Sequence, residues 1–208
     1  MSGFTQTLRD LLSARGPSGY ETAPAAVWSG AAEAFGAAVA VDVVGTPSAR
    51  IAPRTGTGAE RGAGSEARRL VVMGHIDEIG LIVTHIDDEG YLWFREVGGW
   101  DAQILVGQRV VIATREDDVV GVIGKKPIHL LREEERKKVA EVRDLHIDIG
   151  VKDGKQAREM VRIGDVAVID ADPVELPNGR IASRALDNRL GSFVALEAAR
   201  LIGEAGGA

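Results

Sequence analysis

Hydrophobic residues recur with a helical period at the start of the chain and predict two helices. Residues 3–14 place apolar side chains at i, i+4, i+7 and i+8, on one face: Phe4, Leu8, Leu11 and Leu12. Residues 22–36 predict a second helix, with Thr22 as its cap and Pro24 in its first turn. Its apolar stripe is Val27, Ala31 and Phe35.

The next apolar runs are shorter and predict strands. Residues 39–44 predict a strand, and residues 48–52 predict its hairpin partner. Residues 53–67 are rich in Gly and Arg and predict an exposed loop. Residues 69–75 form a continuous apolar run, which is typical of a strand buried on both faces of an α/β sheet.

A different pattern begins near residue 85 and indicates a β-rich module over residues 85–175. Short apolar runs separated by turn signals predict its strands: "LIVTHID", "YLWFREV", "QRVVIAT", "VVGVIG", "LHIDIG" and "DVAVID". Two helical pieces interrupt them, over residues 132–140 and 154–160. Residues 175–189 predict a polar connection.

A last helix is predicted from about residue 187, with apolar positions at Leu190, Phe193, Val194 and Leu201. The order of elements predicts an α/β domain, residues 1–84 and 176–208, into which the β-rich module of residues 85–175 is inserted. Three strands and three helices are few for such a domain, so we expect it to need more sheet to pack against.

Composition narrows the chemistry. The 208 residues include no Cys, so a metal ion would have to bind to His, Asp and Glu. The formal net charge of −6 gives no support for nucleic-acid binding. No apolar run approaches the roughly 18 residues of a membrane span, and no signal peptide is evident, so a cytoplasmic protein without membrane contact is expected.

His75 and Asp77 follow the apolar run of residues 69–75. Residues i and i+2 of a strand point to the same side, and ligands of open α/β sheets bind at the carboxyl ends of strands. An H-x-D pair there can supply a metal ligand and an acid that orients it. H-x-D is a weak motif, and the alternative is an exposed His beside a solvated Asp.

Asp187 stands where the last helix begins. Asp is a good N-cap, so a capping role is one interpretation, and a carboxylate that bridges two metal ions is the other. The remaining histidines, His85, His129 and His146, are interpreted as structural. Ser18 lacks the G-x-S-x-G elbow of a serine nucleophile.

Several long segments, in order, resemble the M42 family of metallo-aminopeptidases, which includes the glutamyl aminopeptidases and the TET peptidases and some members labelled endoglucanases. The segments are "LLSARGPSGYE", "VVMGHIDEIGLIVTHIDDEGYLWFREVGGWDAQILVGQRV", "IGKKPIHLL", "DLHIDIG" and "GRIASRALDNRLG". The resemblance runs from about residue 8 to the C-terminus. It implies an α/β/α catalytic domain of the zinc-exopeptidase type, interrupted by a β-rich, PDZ-like module used in oligomerisation.

The resemblance also implies roles for three residues. His75 would bind one metal ion, Asp77 would orient its imidazole, and Asp187 would bridge two ions, zinc or cobalt. The ions activate a water molecule for attack on the N-terminal peptide bond, with a Glu as general base. The family supplies that Glu, within a Glu-Glu pair, and a further Asp and His after the position of Ala208. Here only Glu197 and Glu204 follow Asp187 as acids.

Three functions follow as expectations. The first is the N-terminal portion of a two-metal aminopeptidase acting on peptides, inactive as the isolated chain. The second is a non-catalytic interaction protein that forms homo-oligomers through the β-rich module. The third is a glycosidase, which needs two acids across a sugar site. Asp77 and Glu78 are neighbours on opposite faces of a strand and make a poor pair of that kind.

Overall fold

The structure is a computed structural model that describes residues 5–51 and 70–205. The helices are α1 (Gln6–Ser13), α2 (Thr22–Ala34), α3 (Ala102–Leu105), α4 (Glu133–Arg136), α5 (Gly154–Met160) and α6 (Leu186–Glu204). The first strands are β1 (Ala38–Val41), β2 (Pro47–Arg50), β3 (Gly80–Ile86), β4 (Leu92–Val97) and β5 (Arg109–Ala113). The others are β6 (Val119–Lys125), β7 (Leu145–Asp148), β8 (Val166–Ile169), β9 (Val174–Leu176) and β10 (Arg180–Ala182). None of the described helices is both long and apolar enough to cross a membrane.

The chain divides into two compact units. The first unit comprises residues 1–14, 21–76 and 173–208. The second, which we call the barrel unit, comprises residues 15–20 and 77–172. Residues 53–67, predicted to be a loop, lie outside the described residues.

The barrel unit is a closed barrel of antiparallel strands in the order β3-β4-β7-β6-β5-β8. Closure leaves no strand edge, and alternate side chains of the strands fill the interior. The interior is built from aliphatic side chains, as expected from a sequence with few aromatics. Leu92, Leu105, Val110, Ile112, Leu145 and Ile147 are all completely buried there.

The six β-like runs predicted from turn signals and β-propensity are confirmed as β3 to β8. The helix predicted over residues 154–160 is confirmed as α5, where the Asp153 side chain accepts a hydrogen bond from Gln156 N and caps the first turn. The helix predicted over residues 132–140 is shorter and spans only Glu133–Arg136. That segment is polar on every face, so it has no apolar stripe with which to pack against the barrel.

Helices α1 and α2 lie where the periodicity predicted them, but two details were wrong. Thr22 is the first residue of α2, and Glu21 occupies the cap position without a side-chain hydrogen bond. The predicted stripe of Val27, Ala31 and Phe35 is only partly buried, although Ala31 and Phe35 pack against the buried cluster that contains Leu196. The fully buried positions of α2 are Pro24, Ala25 and Ala32. The buried face of α2 is therefore formed by small side chains.

The strand predicted over residues 39–44 ends early, at Val41. Asp42 ends it, because its Oδ1 accepts hydrogen bonds from Val44 N and Thr46 N, both 2.9 Å away. Such a local side-chain bond offers the backbone a turn in place of a ladder. Gly45 completes the turn with a φ of 95°. The hairpin partner is confirmed as β2, paired with β1 from Pro47 to Arg50.

The buried strand predicted over residues 69–75 is not observed. Residues 70–77 adopt no regular secondary structure, and Leu70 and Met73 are 80% and 82% exposed. A strand exists only with a hydrogen-bonded neighbour, and within residues 5–51 and 70–205 no strand pairs with residues 70–74. The apolar run therefore indicates a preference for β structure, but the described part of the chain provides no strand for it to pair with.

The polar connection predicted over residues 175–189 contains a hairpin of β9 and β10. The dipeptide Asn178-Gly179 makes the turn, with φ values of 65° and 68°. Asn-Gly is a strong signal for a tight hairpin, because both residues tolerate positive φ. The hairpin was missed because its strands, three residues each, are too short to show alternation.

The burial of α6 also differs from its predicted apolar face. Leu190, Val194 and Leu201 are 43%, 54% and 55% exposed, whereas Phe193 packs against Leu8 and Leu12. The buried positions are Arg189, Ser192, Ala195 and Leu196. Two polar side chains on this face find backbone partners there, as described next.

Arg189 is completely buried and holds the end of α1. The last carbonyl groups of a helix lack intrahelical donors. Arg189 Nη1 donates to Leu11 O, 2.9 Å away, and to Ala14 O. Arg184 Nη2 donates to Ser13 O and Ala14 O, at 2.9 and 3.0 Å. Two guanidinium groups thus satisfy the carboxyl end of α1.

The backbone before His75 approaches α6 closely at Gly74. A Cβ atom at this position would lie 2.5 Å from Ser192 N and 2.6 Å from Gly191 C. Real Cβ contacts are never so short, and both obstacles are backbone atoms of a helix, which cannot rotate away. Glycine is therefore required here by space rather than by its φ.

Gly74→Ala is expected to destabilise the chain by about 1–3 kcal/mol, because overpacking forces the backbone apart. Thermal denaturation followed by circular dichroism measures the change. Gly30→Ala, in α2 of the same unit, is the control, because no atom lies within 4 Å of its added Cβ. The control is expected to be neutral or to stabilise by up to about 1 kcal/mol. Equal stability of both variants would contradict the close approach.

Leu92→Ala is expected to destabilise the chain by about 2–5 kcal/mol, because it leaves a cavity in the barrel interior. Leu92 is completely buried, whereas Val120, in the same barrel, is 56% exposed. Val120→Ala, measured in the same urea titration, should change the free energy of unfolding by less than about 0.5–1 kcal/mol. A small effect of Leu92→Ala would show that its site collapses or that the barrel interior is packed differently.

Candidate metal centre

His75 and Asp187, which are 112 residues apart in sequence, meet in the first unit. His75 Nε2 lies 3.1 Å from Asp187 Oδ1. Both side chains are accessible, with 56% and 96% of their surface exposed. Two ligands of one tetrahedral zinc ion, with bonds of about 2.0–2.1 Å, stand roughly 3.3 Å apart. The nitrogen and the carboxylate oxygen therefore have the chemistry and the separation of two ligands of one ion.

The two residues supply part of a metal site. Catalytic zinc is usually bound by three protein ligands. Within residues 5–51 and 70–205, no group of three or more His, Cys, Asp or Glu side chains is arranged to hold an ion.

Asp187 does not cap α6, so the capping interpretation is wrong. The helix has Ala185 at its cap position, without a side-chain hydrogen bond. Asp187 and Asn188 follow with non-helical backbone angles, and the peptide bond between them is cis. Asn188 Oδ1 accepts a hydrogen bond from Gly191 N at 3.1 Å. The side-chain cap that sequence analysis considered for Asp187 thus belongs to Asn188, and the Asp187 carboxylate lies beside His75.

Two side chains of α6 hold the backbone around His75. Ser192 Oγ donates to His75 O at 3.0 Å, and Arg189 Nε donates to Ile76 O at 2.8 Å. Trp28 Nε1 donates to Ser192 O at 3.0 Å and ties α2 to the same point. These contacts fix the position of the His75 main chain relative to the helix that follows Asp187.

Arg189 and Ser192 were not predicted as positioning residues. Their signal was present, because they stand three residues apart on one face of a helix and share that face with Leu196, seven residues after Arg189. Polar residues at helical spacing among apolar ones indicate a buried face with backbone partners.

Asp77 lies in the barrel unit, where it accepts a hydrogen bond from Ser18 Oγ. The strand geometry from which its role was argued is not met, because residues 75–77 form no strand. Its role as the residue that orients His75 stays a prediction from the family resemblance. The contact with Ser18 was not foreseen.

Glu78, next to Asp77, is buried, with 3% of its surface exposed. Its Oε1 accepts a hydrogen bond from Gly16 N at 3.1 Å. This carboxylate serves the local backbone and is poorly placed to reach a sugar.

The acids that follow Asp187 are engaged with a cation. Arg200 Nη2 lies 2.7 Å from Glu197 Oε2, and Arg200 Nη1 lies 2.7 Å from Glu204 Oε1. Hydrogen bonds to Glu197, and then to Glu204, raise the pKa of the Arg200 guanidinium above its ordinary value. Glu197 is therefore engaged in an ion pair on its own helix and is not assigned as the general base.

Among the other histidines, His146 packs against aromatic rings of the barrel surface. Its ring centroid lies 4.4 Å from that of Tyr91 and 5.7 Å from that of Trp93. His129 lies on an exposed one-turn 3₁₀ helix. Neither contact indicates a metal ligand.

Comparison with known proteins places this chain in a family. The family profile described as M42 glutamyl aminopeptidase matches residues 57–206. The lysyl aminopeptidase of Pyrococcus furiosus is 34% identical over 140 residues, which cover 66% of this chain and 40% of the relative. The chain thus spans about two fifths of the length of the curated relatives it matches.

Solved structures resemble the chain over almost its whole length. A TET aminopeptidase from a marine sediment Thaumarchaeota archaeon has a TM-score of 0.86 and 37% identity, covering 97% of this chain and 54% of that one. The TET1 peptidase of Pyrococcus horikoshii, which assembles into a tetrahedron or an octahedral shell, has a TM-score of 0.79 and 35% identity, covering 97% and 57%. The α/β fold of these peptidases is confirmed for this chain, which belongs to the M42 family of aminopeptidases.

Proposed function

We propose that this chain provides the N-terminal portion of a two-metal-dependent aminopeptidase that removes N-terminal residues from peptides. The observation that carries the proposal is the 3.1 Å approach of His75 Nε2 to Asp187 Oδ1. An imidazole and a carboxylate brought together from distant parts of a chain, both accessible, match the first ligand and the bridging ligand of a dinuclear site. Membership of a family of aminopeptidases supports the same assignment.

Each residue has a distinct role in this proposal. His75 offers the lone pair of Nε2, which requires the neutral tautomer with its proton on Nδ1. In the role that the family resemblance gives it, Asp77 would accept a hydrogen bond from Nδ1–H and so orient the ring. Asp187 places one carboxylate oxygen beside His75, and its second oxygen would be available to a second ion. Zinc or cobalt, when bound, supplies Lewis-acid polarisation of the peptide carbonyl and acidifies a water molecule.

The isolated 208-residue chain is proposed to be catalytically silent. The described residues bring two protein donors together, whereas a catalytic ion usually takes three. A general-base Glu is also needed, and Glu197 and Glu204 are both paired with Arg200. The proposed silence therefore follows from the ligand count and from the pairing of Glu197 and Glu204 with Arg200.

A second candidate is a non-catalytic interaction protein that forms homo-oligomers through the barrel unit, as a PDZ-like module. The closed barrel has a buried core of its own, which supports a stable module that does not depend on an active site. The assembly of the Pyrococcus horikoshii TET1 peptidase into shells supports an oligomeric state. A glycosidase has less support, because burial of Glu78 removes one of the two acids considered.

Metal binding by the chain is expected to depend on His75 and Asp187. Equilibrium dialysis against zinc or cobalt, followed by metal analysis, should show weak binding that His75→Ala and Asp187→Asn each reduce roughly tenfold or more, about 1.4 kcal/mol. His129→Ala is the control, because His129 is exposed on a separate 3₁₀ helix. Binding that survives both substitutions would contradict the assigned site.

Peptide hydrolysis by this chain alone is expected to stay at the level of buffer with zinc or cobalt present. The assay measures release of N-terminal amino acids from short peptides. Robust release that requires metal and disappears in His75→Ala would overturn the proposed silence while supporting the site. Release that is unchanged in His75→Ala would point to a contaminating peptidase.

Self-association is expected from the interaction role. Light scattering coupled to size exclusion, at micromolar concentration, should give the mass of a dimer or a larger assembly rather than 22.0 kDa. A single monomeric peak across this concentration range would count against the oligomeric proposal and would leave the metal site unaffected.

A further inference from the structure

Residues 15–20 of the barrel unit form a strap that lies against residues 77–80, where the second segment of that unit begins. Pro17 and Glu78 form an isolated parallel bridge. Glu78 N donates to Gly16 O at 3.1 Å, and Ser18 N donates to Glu78 O at 3.3 Å. The buried carboxylate of Glu78 also accepts from Gly16 N. The main chain and side chain of Glu78 thus hold three consecutive residues of the strap, Gly16 to Ser18.

The strap is also fixed by its apolar and aromatic members. A Cβ atom on Gly80 would lie 2.7 Å from Pro17 Cγ, so the proline ring sits directly on the backbone of β3. Tyr20 OH donates to Gly164 O at 2.9 Å. Contacts at Pro17 and Tyr20, on either side of Ser18, leave the serine backbone little freedom to move.

Ser18 is exposed at the top of this strap, and its Oγ donates a hydrogen bond to Asp77 Oδ2. We infer that Ser18 is a positioning residue for the Asp77 carboxylate; the inference rests on the proposed function, in which Asp77 orients the His75 imidazole. Ser18 has no serine-nucleophile elbow around it, and this hydrogen bond gives the residue a different role.

The hydrogen bond from Ser18 restricts rotation of the Asp77 carboxylate. An aspartate side chain has two rotatable bonds, and an accessible one exchanges between rotamers. A hydroxyl that donates to one oxygen selects one rotamer and sets the plane of the carboxylate. The other oxygen is then presented in a fixed direction, as is needed to accept an imidazole N–H. Residues that orient a metal ligand in this way change metal affinity about 10–100-fold when they are removed.

Glu78 gains a role from the same arrangement. It stands next to Asp77 in sequence and holds the strap that carries Ser18. The sequence "HIDE" therefore contains a proposed metal ligand, a proposed orienting acid and a buried acid that anchors the partner of the orienting acid. The two adjacent carboxylates, which make a poor glycosidase pair, thus have two different roles in this proposal.

The test compares the wild-type chain with Ser18→Ala, Ser18→Thr and Ser48→Ala. Ser48 is the matched control, an exposed serine whose Oγ donates to Ala40 O at 3.2 Å in the β1–β2 hairpin. The first readout needs no metal: NMR three-bond couplings that report χ1 of Asp77. Wild type, Ser18→Thr and Ser48→Ala should show one rotamer, and Ser18→Ala should show averaging between rotamers.

The second readout is the dissociation constant for Co²⁺, titrated by its visible absorption. Ser18→Ala should raise it about tenfold, whereas Ser18→Thr should restore it, because threonine keeps a donor at Oγ. A thermal midpoint unchanged in Ser18→Ala would show that the fold is intact.

The possible outcomes separate the inference from the function beneath it. A single Asp77 rotamer in Ser18→Ala, or a Co²⁺ affinity equal to that of wild type, would overturn the role of Ser18. Failure of Ser18→Thr to restore the Asp77 rotamer would do the same. A wild-type chain that takes up no Co²⁺ would instead contradict the proposed metal site, while the Asp77 couplings would still decide whether Ser18 positions that carboxylate.

Discussion

The arrangement of the first unit around His75 depends on the hydrogen bonds that the buried guanidinium of Arg189 donates to backbone carbonyl groups. Arg189 lies at the start of α6, and its hydrogen bonds to carbonyl groups join that helix to two other pieces of chain. These are the end of α1, at Leu11 and Ala14, and the segment that carries His75, through Ile76 O. A charge removed from water costs several kcal/mol unless its donors are satisfied, so the geometry of these pieces is tightly constrained. His75 and Asp187 approach each other because Arg189, two residues from Asp187, holds the backbone next to His75.

Hydrogen bonds made by buried or half-buried polar side chains position the backbone around the candidate site residues. Small residues allow close approach, as at Gly74, and polar side chains then convert that approach into specific hydrogen bonds, as at Ser192. Glu78 performs the same service in the barrel unit, where its carboxylate fixes a strap of backbone. Apolar packing stabilises each unit, whereas backbone carbonyls and amides bound by Arg, Ser and Glu determine where the candidate site residues lie.

The barrel was predictable because its signals are local. Each strand of the barrel unit shows apolar β-branched residues between turn signals, and closure satisfies every strand by a neighbour within residues 77–172. Residues 69–75 carried an equally clear signal, but the strand predicted there was wrong. A strand needs a partner to pair with, and the signal of one segment does not show whether a partner is present. The exposed positions Leu190 and Val194 of α6 show the same limit: periodicity identifies an apolar stripe but not whether anything covers it.

The site was predictable in its residues and not in its geometry. The motifs around His75 and Asp187 indicated metal chemistry, yet local sequence equally allowed Asp187 to cap its helix. The choice was made by Asn188, whose amide oxygen reaches Gly191 N and takes the capping role. The contact between Ser18 and Asp77 joins residues 59 apart, and no local pattern reports it.

The exposed run of Leu70 to Met73 has a consequence for the behaviour of the protein in solution. Four consecutive exposed apolar residues without proline or charge offer a segment with which a strand of another molecule can pair. Arg68 and Arg69 precede the run in the sequence, and charges that flank an apolar run oppose its self-association by repulsion. Salt screens that repulsion over about 10 Å at 0.1 M. Added salt is therefore expected to favour association of copies of the chain through this run, and dilute buffers are expected to oppose it.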